Sequence, residues 1–200
     1  MVADVPRPVN TESRAKLLAA GLRLICQNGV NATCVKEVAE QAGVPKGSFY
    51  SYFASKDDFV VGVLEHYWAE MERRFGHLLD DGRPPLERLT MYFRSIADDH
   101  ERNAFTIGCL LGILGQELAG SKPIVAERLR AILLGWEIQL ASVFVDADQR
   151  QAREVAASII EAWQGAVFRA KTDISRKPYM RFEEVTLPLL VAICDVTTLA

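Results

Sequence analysis

A short stretch near residue 50 carries side chains whose types suit contacts with nucleic acid. Gly43 permits a left-handed backbone, and Val44-Pro45 predicts a tight turn between two short helices. The second of these helices is predicted over about 46–53, with Phe49 directed inward. Its outer side would then carry Lys46, Ser48, Tyr50 and Tyr52. Short polar and flat side chains suit base edges and phosphates, so the pattern predicts a helix-turn-helix that binds DNA.

A second stretch that could do chemistry is Gly108-Cys-Leu-Leu-Gly112. The two glycines thin a helix on one side and leave room beside Cys109. If Lys171 or Arg169 lies near, its positive charge favours the thiolate, which is the form that attacks electrophiles. Modification of the thiol would add bulk inside a close-packed core and could move the neighbouring helices. The alternative is an inert buried thiol, because free cysteine is among the most buried residue types.

The remaining cysteines and histidines exclude several kinds of site. Cys26, Cys34 and Cys194 form no Cys-x-x-Cys pair and have no clustered histidine, so no zinc site is expected. Four scattered cysteines also make no disulfide scaffold, which indicates a reducing compartment. The three histidines stand in no nucleophile motif, metal-ligand pair or phosphate-binding loop. We therefore expect neither an enzyme nor a bound cofactor.

Composition is that of an ordinary globular protein: 50% of the 200 residues are hydrophobic and 24% are charged. The net charge of -3 is distributed unevenly. Residues 1–56 carry more Lys and Arg than Asp and Glu, and residues 57–200 carry the reverse. A basic head on an acidic body fits a protein that binds DNA with its head. Because the N-terminus has no signal-peptide pattern and no apolar run is long enough to span a membrane, the cytoplasm is expected.

Hydrophobic periodicity predicts an all-α fold of about nine helices, without β-alternation and without an internal repeat. Thr11 can open the first helix, and Asn28-Gly29 supplies its end. Thr33 is predicted to cap a short second helix, which ends at Gly43. Together with the helix over 46–53, these elements make a three-helix head.

A long fourth helix is predicted over 56–79, opened by a capping box in which Ser55 caps and Asp58 reaches back. Five further helices make up the body. They are predicted over 86–102, 105–118, 123–144, 148–171 and 182–197. Pro188 would bend the last of them.

The stretch at 33–59, TCVKEVAEQAGVPKGSFYSYFASKDDF, resembles the signature of the TetR family of transcriptional repressors. The resemblance implies a flexible arm at 1–10 and a helix-turn-helix domain at 11–56. The helix over 56–79 would connect this head to a ligand-binding and dimerisation domain at 57–200. The resemblance also implies DNA contacts at Thr33, Lys46, Gly47, Ser48, Tyr50, Tyr52 and Lys56.

Each of these contacts has an implied role. Thr33 would cap the second helix and touch a phosphate, and Gly47 would let the backbone come close to the DNA. Ser48 would contact a base edge or a phosphate, and the two tyrosines would contact phosphate and thymine methyls. Lys56 would hold a phosphate beside the amide-rich start of the long helix.

A regulator of this kind needs two heads, because one short helix contacts too few base pairs to be selective. The two half-sites lie roughly 34–36 Å apart, one helical turn of DNA. The resemblance therefore implies a palindromic double-stranded operator and a homodimer formed through the last two helices, 148–171 and 182–197. The alternative, which the sequence favours equally, is that these are internal core helices.

The resemblance also implies a small-molecule inducer bound in the middle of the chain. The candidate ligand residues are His66, Tyr67, Phe75, Tyr92, Phe93, Cys109, Ile113, Trp136 and Trp163. The motif at 108–112, with Gly115-Gln-Glu117 and 163–171, resembles a branch of the family that responds to reactive electrophiles or short unsaturated acids, with Cys109 and Lys171 as the sensor. Ile113 stands where that branch usually has a polar residue, which indicates a more apolar ligand.

Two alternatives remain open on the sequence. One is a helical ligand-binding or interaction module that does not bind DNA, which a salt-dependent affinity for duplex DNA would exclude. The other is a regulator induced by a non-covalent lipophilic ligand. That mechanism predicts that a Cys109→Ser protein still responds to its inducer.

Overall fold

The computed structural model describes residues 11–106 and 108–196, and within these ranges the chain forms helices and turns without any strand. The described residues contain nine α-helices: α1 (Thr11–Asn28), α2 (Val35–Ala42), α3 (Lys56–Phe75), α4 (Pro85–Arg102), α5 (Leu110–Leu118), α6 (Pro123–Ala141), α7 (Gln149–Asp173), α8 (Lys177–Arg181) and α9 (Leu187–Val196). The predicted all-α fold is confirmed. The arm predicted at 1–10 lies outside the described residues.

Three shorter helical segments complete the chain. A 3₁₀ helix, Lys46–Ser51, stands between α2 and α3 and is called the recognition helix below. The 3₁₀ turn Gly76–Leu79 extends α3, and the π-helical Phe182–Thr186 joins α8 to α9. The recognition helix is shorter than the predicted 46–53 and is more tightly wound than an α-helix.

The head is held together by a cluster of phenylalanine rings. The ring centroids of Phe49 and Phe59 lie 5.1 Å apart, and Phe53 lies 5.0 Å from Phe59 and 5.3 Å from Phe49. Gly21 lets α1 approach this cluster, because a Cβ there would lie 2.2 Å from the ring of Phe59. Gly43 has the predicted left-handed conformation, with φ of 64°. The recognition helix is therefore mounted firmly on α1 and α3.

The start of α2 differs from the prediction that Thr33 caps it. Cys34 is the N-cap, and its Sγ atom accepts the Glu37 amide over 3.4 Å. Thr33 is buried, and its hydroxyl donates to the Gly29 carbonyl over 2.7 Å. The reason is that the chain turns at Val30, whose carbonyl accepts the Thr33 amide, and this turn directs the Thr33 side chain back to the end of α1.

Several helix bounds in the body also differ from those predicted. The helix predicted over 105–118 begins only at Leu110, because Ala104 and Phe105 adopt left-handed conformations, with φ of 51° and 57°. The helix predicted over 123–144 ends at Ala141. The last predicted helix starts earlier, at Lys177, and passes through a wide π turn just before Pro188, which has no amide to donate.

The predicted capping box at the start of α3 is confirmed, and α7 has a side-chain cap as well. Ser55 accepts the amide of Asp58 over 3.0 Å, and the Asp58 carboxylate accepts the amide of Ala54 over 2.9 Å. Asp148 accepts the amide of Gln151 over 3.0 Å and so caps α7. The long helices α3 and α7 therefore begin where their side chains satisfy exposed amides.

An aromatic core fills the body between α3, α4, α6 and α7. Trp136 and Trp163 are 2% and 1% exposed, and the Phe93 ring lies between them, 6.3 Å from the first and 4.9 Å from the second. The rings of Trp163 and Tyr179 stack at 4.9 Å and bring α8 onto α7. Across residues 11–106 and 108–196, each helix is too short or too polar to cross a membrane.

Candidate functional site

The recognition helix presents a polar and aromatic outer side, as predicted. Phe49 is fully buried beneath it, whereas Lys46, Gly47 and Tyr50 are exposed, and 63% of Tyr50 is accessible. A Cβ built at Gly47 would meet no atom within 4 Å, so the backbone there is open to a large partner. Ser48 and Tyr52 are half-buried. This geometry leaves one face of the head free to approach a surface such as duplex DNA.

Two of the predicted DNA contacts have intramolecular partners. The hydroxyl of Thr33 is bound to Gly29, so a phosphate contact by this side chain would require that hydrogen bond to open. The amine of Lys56 donates to the Val30 carbonyl over 2.8 Å and ties the start of α3 to the turn between α1 and α2. Lys56 is half-buried, and its charge still lies next to the N-terminus of α3.

Cys109 is the N-cap residue of α5 and is 6% exposed. The Gln164 side-chain amide donates to its Sγ atom over 3.1 Å, and the Tyr67 hydroxyl lies 3.7 Å from the same atom. Burial raises the pKa of Tyr67 well above its ordinary value, and the neighbouring Cys109 adds to this effect. The hydroxyl therefore keeps its proton. The thiol therefore stands between two hydrogen-bond donors.

Two cavities meet at Gly108, next to Cys109. One has a volume of about 460 Å³ and the other has a volume of about 490 Å³. The larger one, called the Cys109 cavity, runs between α5 and α7. It is lined by Gly108, Cys109, Gly112, Ile113, Gly115, Gln116, Gln164, Val167, Phe168, Lys171 and Thr172. The structure thus brings Cys109, Ile113 and Lys171 to one cavity, and the glycines of α5 make room for it.

Lys171 has a partner in the head. Its amine donates to the carbonyl of Cys26, at the end of α1, over 3.0 Å. Burial, and next the nearby Cys109, raise the pKa of the Cys26 thiol to about 12, while the charge of Lys171 acts in the opposite direction. Cys26 is therefore a protonated thiol at neutral pH. Arg169, the other predicted charge, instead pairs with Asp173 over 3.0 Å on the exposed side of α7.

The smaller cavity, called the head-side cavity, lies between α1, α3 and α4 and takes in His66 and Tyr67. Arg74 and Asp99 form an ion pair in its wall, with a shortest distance of 2.5 Å. His100 lies beside them, and its Nδ1 atom is 2.6 Å from the Tyr179 hydroxyl. Burial lowers the pKa of His100 to about 4, so its ring is neutral at physiological pH.

The remaining predicted ligand residues line neither cavity. They are Phe75, Tyr92, Phe93, Trp136 and Trp163, and each is at most 6% exposed in the packed core. Gln164 is a cavity residue that was not among the predicted ligand residues. Its place beside Cys109, 55 positions earlier in the chain, depends on how α5 and α7 pack.

An exposed apolar surface runs along α7 and the segment from α8 to α9. Phe168 is 60% exposed, and Val185 and Leu189 are 52% and 67% exposed. Gly165, on the same side of α7 as Phe168, adds no side chain that would keep a second helix away. Exposed apolar side chains of this size are typical of an interaction surface. In the part of the chain that the structure describes, no three His, Cys, Asp or Glu side chains are grouped so as to hold a metal ion.

Comparisons with known proteins agree with this architecture. Residues 17–63 match the family described as bacterial regulatory proteins, tetR family, and residues 85–185 match the C-terminal domain of LmrA/YxaF-like transcriptional regulators. The transcriptional regulator AcuR of Cereibacter sphaeroides is 33% identical over 83% of this chain and 80% of its own length. The transcriptional repressor DhaR of a Mycobacterium species is 29% identical over 90% of this chain and 93% of its own.

A solved structure shows the same fold. The regulatory protein TetR from Rhodobacter sphaeroides superposes with a TM-score of 0.80 at 29% identity, over 88% of this chain and 97% of its own. The two matched segments cover the head and most of the body, in the order in which the structure arranges them. With its helix-turn-helix head on a helical body that holds two cavities, the chain belongs to the tetR family of bacterial regulatory proteins and is a DNA-binding transcriptional regulator rather than an enzyme.

Proposed function

We propose that this regulator represses transcription as a homodimer on a palindromic operator and leaves the DNA when an inducer occupies the Cys109 cavity. The observation that carries the proposal is that Cys109 lines a cavity of about 490 Å³ between α5 and α7. This volume suits a small molecule. The same α5 contacts the head, so an occupant of the cavity has a direct mechanical route to the DNA-binding residues.

The DNA-binding head comprises residues 11–56, and α3 connects it to the body at 57–200. The exposed Lys46, Gly47 and Tyr50 of the recognition helix make the contacts, together with the half-buried Ser48 and with Tyr52, which directly follows the helix. Its lysine supplies charge to the phosphate backbone, which makes the affinity depend on salt. Lys56 and Thr33 contribute to the turn behind this helix, and Lys56 adds positive potential beside the start of α3.

The inducer class that fits the cavity is a short electrophile with an unsaturated carbon next to a carbonyl or carboxyl group. The Cys109 thiolate adds to the β-carbon, a carbon–sulfur bond replaces the carbon–carbon π bond, and the α-carbon takes up a proton. Gln164 donates to the sulfur over 3.1 Å and so holds it in the wall of the cavity. Lys171, in the same cavity wall, is placed to attract an acidic ligand.

The dimer uses the exposed apolar surface of α7 and of the segment from α8 to α9. Packed against its copy, this surface would form a four-helix bundle and bury Phe168, Val185 and Leu189, which are each more than half exposed in one chain. Phe168 also lies in the wall of the Cys109 cavity, so the second copy would cover part of the mouth of that cavity. Dimerisation and ligand binding would then share one residue.

A second candidate mechanism is reversible binding of a lipophilic compound in the head-side cavity. The observation that favours it is that Leu22, Met71 and Ile96 line about 460 Å³ of space beside His66 and Tyr67. This cavity touches α1 directly, so its occupant would also act on the head. Such an inducer needs no thiol.

The test is a titration of the purified full-length chain onto a labelled fragment from upstream of its own gene, followed by fluorescence anisotropy at two salt concentrations. The titration is repeated after treatment with N-ethylmaleimide. The proposal expects tight binding that weakens steeply with salt and is lost on treatment. Affinity no higher than that for random DNA would contradict it.

Variants at two cysteines separate the mechanisms. In Cys109→Ser the treated protein should keep its affinity, whereas Cys34→Ser, which removes the exposed thiol at the start of α2, should respond like the parent. Serine is itself a good N-cap, so this control preserves the start of α2. Persistent loss of affinity in the treated double variant Cys34→Ser/Cys109→Ser would show that Cys109 is not the thiol responsible.

A further inference from the structure

Glu117, near the end of α5, holds the turn between α1 and α2 in the head. Its Oε2 atom accepts the backbone amides of Val30 and Asn31 over 3.0 Å and 3.1 Å, from positions 87 and 86 residues away in the chain. Two donors converge on one carboxylate oxygen, and hydrogen bonds to a charged acceptor are stronger than those between neutral groups. The Oε2 atom of Glu117, in the body, therefore holds the head by two hydrogen bonds.

The turn is shaped around this carboxylate. Gly29 has φ of 83°, and a Cβ at this position would lie 2.4 Å from the Oε1 atom of Glu117. Only glycine combines this conformation with the space that the carboxylate occupies. The carbonyls of the turn go elsewhere, that of Gly29 to Thr33 and that of Val30 to Lys56. The amides of Val30 and Asn31 thus bind a residue of the body, whereas the carbonyls of Gly29 and Val30 bind residues of the head.

Both ends of α5 have a defined task. Its first residues follow Cys109, and Gly112 and Ile113 line the Cys109 cavity. Glu117 stands on its last turn, directly after the cavity residues Gly115 and Gln116 and roughly 10 Å along the helix from its first residue, Leu110, at about 1.5 Å per residue. A helix this short moves as a rigid body, because its backbone hydrogen bonds are local. A shift of α5 at the cavity therefore displaces the Glu117 carboxylate from the two amides.

The turn between α1 and α2 also determines the position of the recognition helix. Cys34, the N-cap of α2, follows Asn31 by three residues, and α2 packs against both α1 and the recognition helix. Releasing the amides of Val30 and Asn31 leaves the turn held only by contacts within the head. The orientation of α2 and of the recognition helix relative to the body is then less restrained, because only α3, the packing of α1 and the bond from Lys171 to the Cys26 carbonyl remain.

We propose that Glu117 is the positioning residue that transmits occupancy of the Cys109 cavity to the DNA-binding head. Its two hydrogen bonds hold the head on the body, and they break when an occupant displaces α5. This proposal rests on the proposed function, because its first test measures DNA binding. It concerns the link between the cavity and the head, and not the identity of the inducer.

The test compares Glu117→Ala with Glu127→Ala, both in a Cys34→Ser background so that the exposed thiol does not react. Glu127 is an exposed glutamate on α6 and so matches the change in charge. Each protein is titrated onto the upstream DNA fragment before and after treatment with N-ethylmaleimide, and mass spectrometry verifies modification of Cys109. If Cys109 does not react, Gly112→Leu supplies the bulk instead, because a Cβ there already lies 2.9 Å from the Gln164 side chain.

The expected result is a loss of coupling in Glu117→Ala alone. Treatment should weaken DNA binding at least tenfold in Glu127→Ala, and no more than twofold in Glu117→Ala. The untreated Glu117→Ala protein should bind several-fold more weakly than the control, since its head is no longer held in place. A Glu117→Ala protein that keeps the tenfold response of the control would overturn the proposal.

A second readout works without DNA and separates this proposal from the proposed function. Hydrogen exchange of the Val30 and Asn31 amides is measured in the full-length protein, with and without the modification. Treatment should speed their exchange in the control, whereas in Glu117→Ala exchange should be fast in both states. If DNA binding itself is absent, the proposed function fails, yet faster exchange at these two amides still supports the link. Unchanged exchange on modification of the control refutes the link whatever the DNA titration shows.

Discussion

The side-chain amide of Gln164 donates a hydrogen bond to the Sγ atom of Cys109 over 3.1 Å, and so joins α7 to the N-cap of α5. The glycine at position 112 makes this contact possible, because any Cβ there would lie 2.9 Å from the Gln164 Oε1 atom. A donor held at the sulfur favours the thiolate over the thiol. Gln164 is therefore expected to set the reactivity of Cys109.

Replacing this donor should slow modification of the thiol. In Gln164→Glu a carboxylate takes the place of the amide and repels the negative charge on the attacking sulfur, so we expect alkylation of Cys109 by N-ethylmaleimide to slow several-fold. The rate is measured by mass spectrometry of quenched samples. Gln116→Glu introduces the same charge into another wall of the cavity. If both variants react equally slowly, charge in the cavity is the cause and the hydrogen bond is not.

Removing the recognition-helix lysine should change the salt dependence of DNA binding. Lys46 is exposed at the start of that helix, and a lysine that neutralises a phosphate releases its counterions. Lys46→Ala should weaken operator binding and lower the slope of log affinity against log salt by about 1.8, which is about 0.9 for each of the two heads of the dimer. Anisotropy titrations at four or five salt concentrations give the slope. Lys177→Ala, at an exposed position in the body, should leave it unchanged. An unaltered slope in Lys46→Ala would remove this residue from the contacts.

The head could be predicted from the sequence because its determinants are local. Gly43, the tight turn after it and the buried Phe49 act within a few residues, and the structure reproduces all three. The prediction that Thr33 is the N-cap of α2 was wrong by one residue, because Thr and Cys side chains can both accept a hydrogen bond from an amide. Only the path of the turn decides which of the two is the N-cap. The break before α5 had no local signal, because Ala104 is a helix-favouring residue that here has a positive φ.

The ligand sites were less predictable because they depend on packing between distant segments. His66 and Cys109 line cavities as predicted, yet Trp136 and Trp163 are equally aromatic and fill the core. An apolar side chain at helical spacing looks the same in both settings. The contacts of Glu117 with the turn and of Gln164 with Cys109 join residues more than 50 positions apart, and no periodicity reports such pairs.

A charge on the exposed apolar surface should disrupt the dimer. Phe168 is 60% exposed in one chain, and the proposed bundle would bury it. Phe168→Glu would place an unpaired carboxylate in that interface, at a cost of several kcal/mol, so we expect a monomer at concentrations where the parent is dimeric. Sedimentation velocity measures the change. Ile124→Glu, at a 54% exposed position on α6 away from this surface, should remain dimeric. A dimeric Phe168→Glu protein would place the interface elsewhere.

Protonation of His100 should make the protein less stable in mild acid. Its folded pKa is about 4, lowered chiefly by burial and further by Lys171, with Asp99 opposing, against about 6.5 when unfolded. Between these values the unfolded chain binds a proton that the folded chain does not, so the free energy of unfolding falls as the pH drops from about 6.5 to about 4. The full contribution is roughly 3 kcal/mol. Urea unfolding at a fixed protein concentration, at pH 7 and pH 4, measures it.

The comparison that isolates this contribution uses two histidine variants. His100→Gln has no titrating ring and a side chain that can still reach the Tyr179 hydroxyl, so its stability should fall less between pH 7 and pH 4 than that of the parent. His77 is exposed, and His77→Gln should behave like the parent across the same range. Equal losses in all three proteins would assign the acid sensitivity to the carboxylates. A smaller loss confined to His100→Gln would show that the buried ring, which packs beside Trp163 and Tyr179, is kept neutral by the fold.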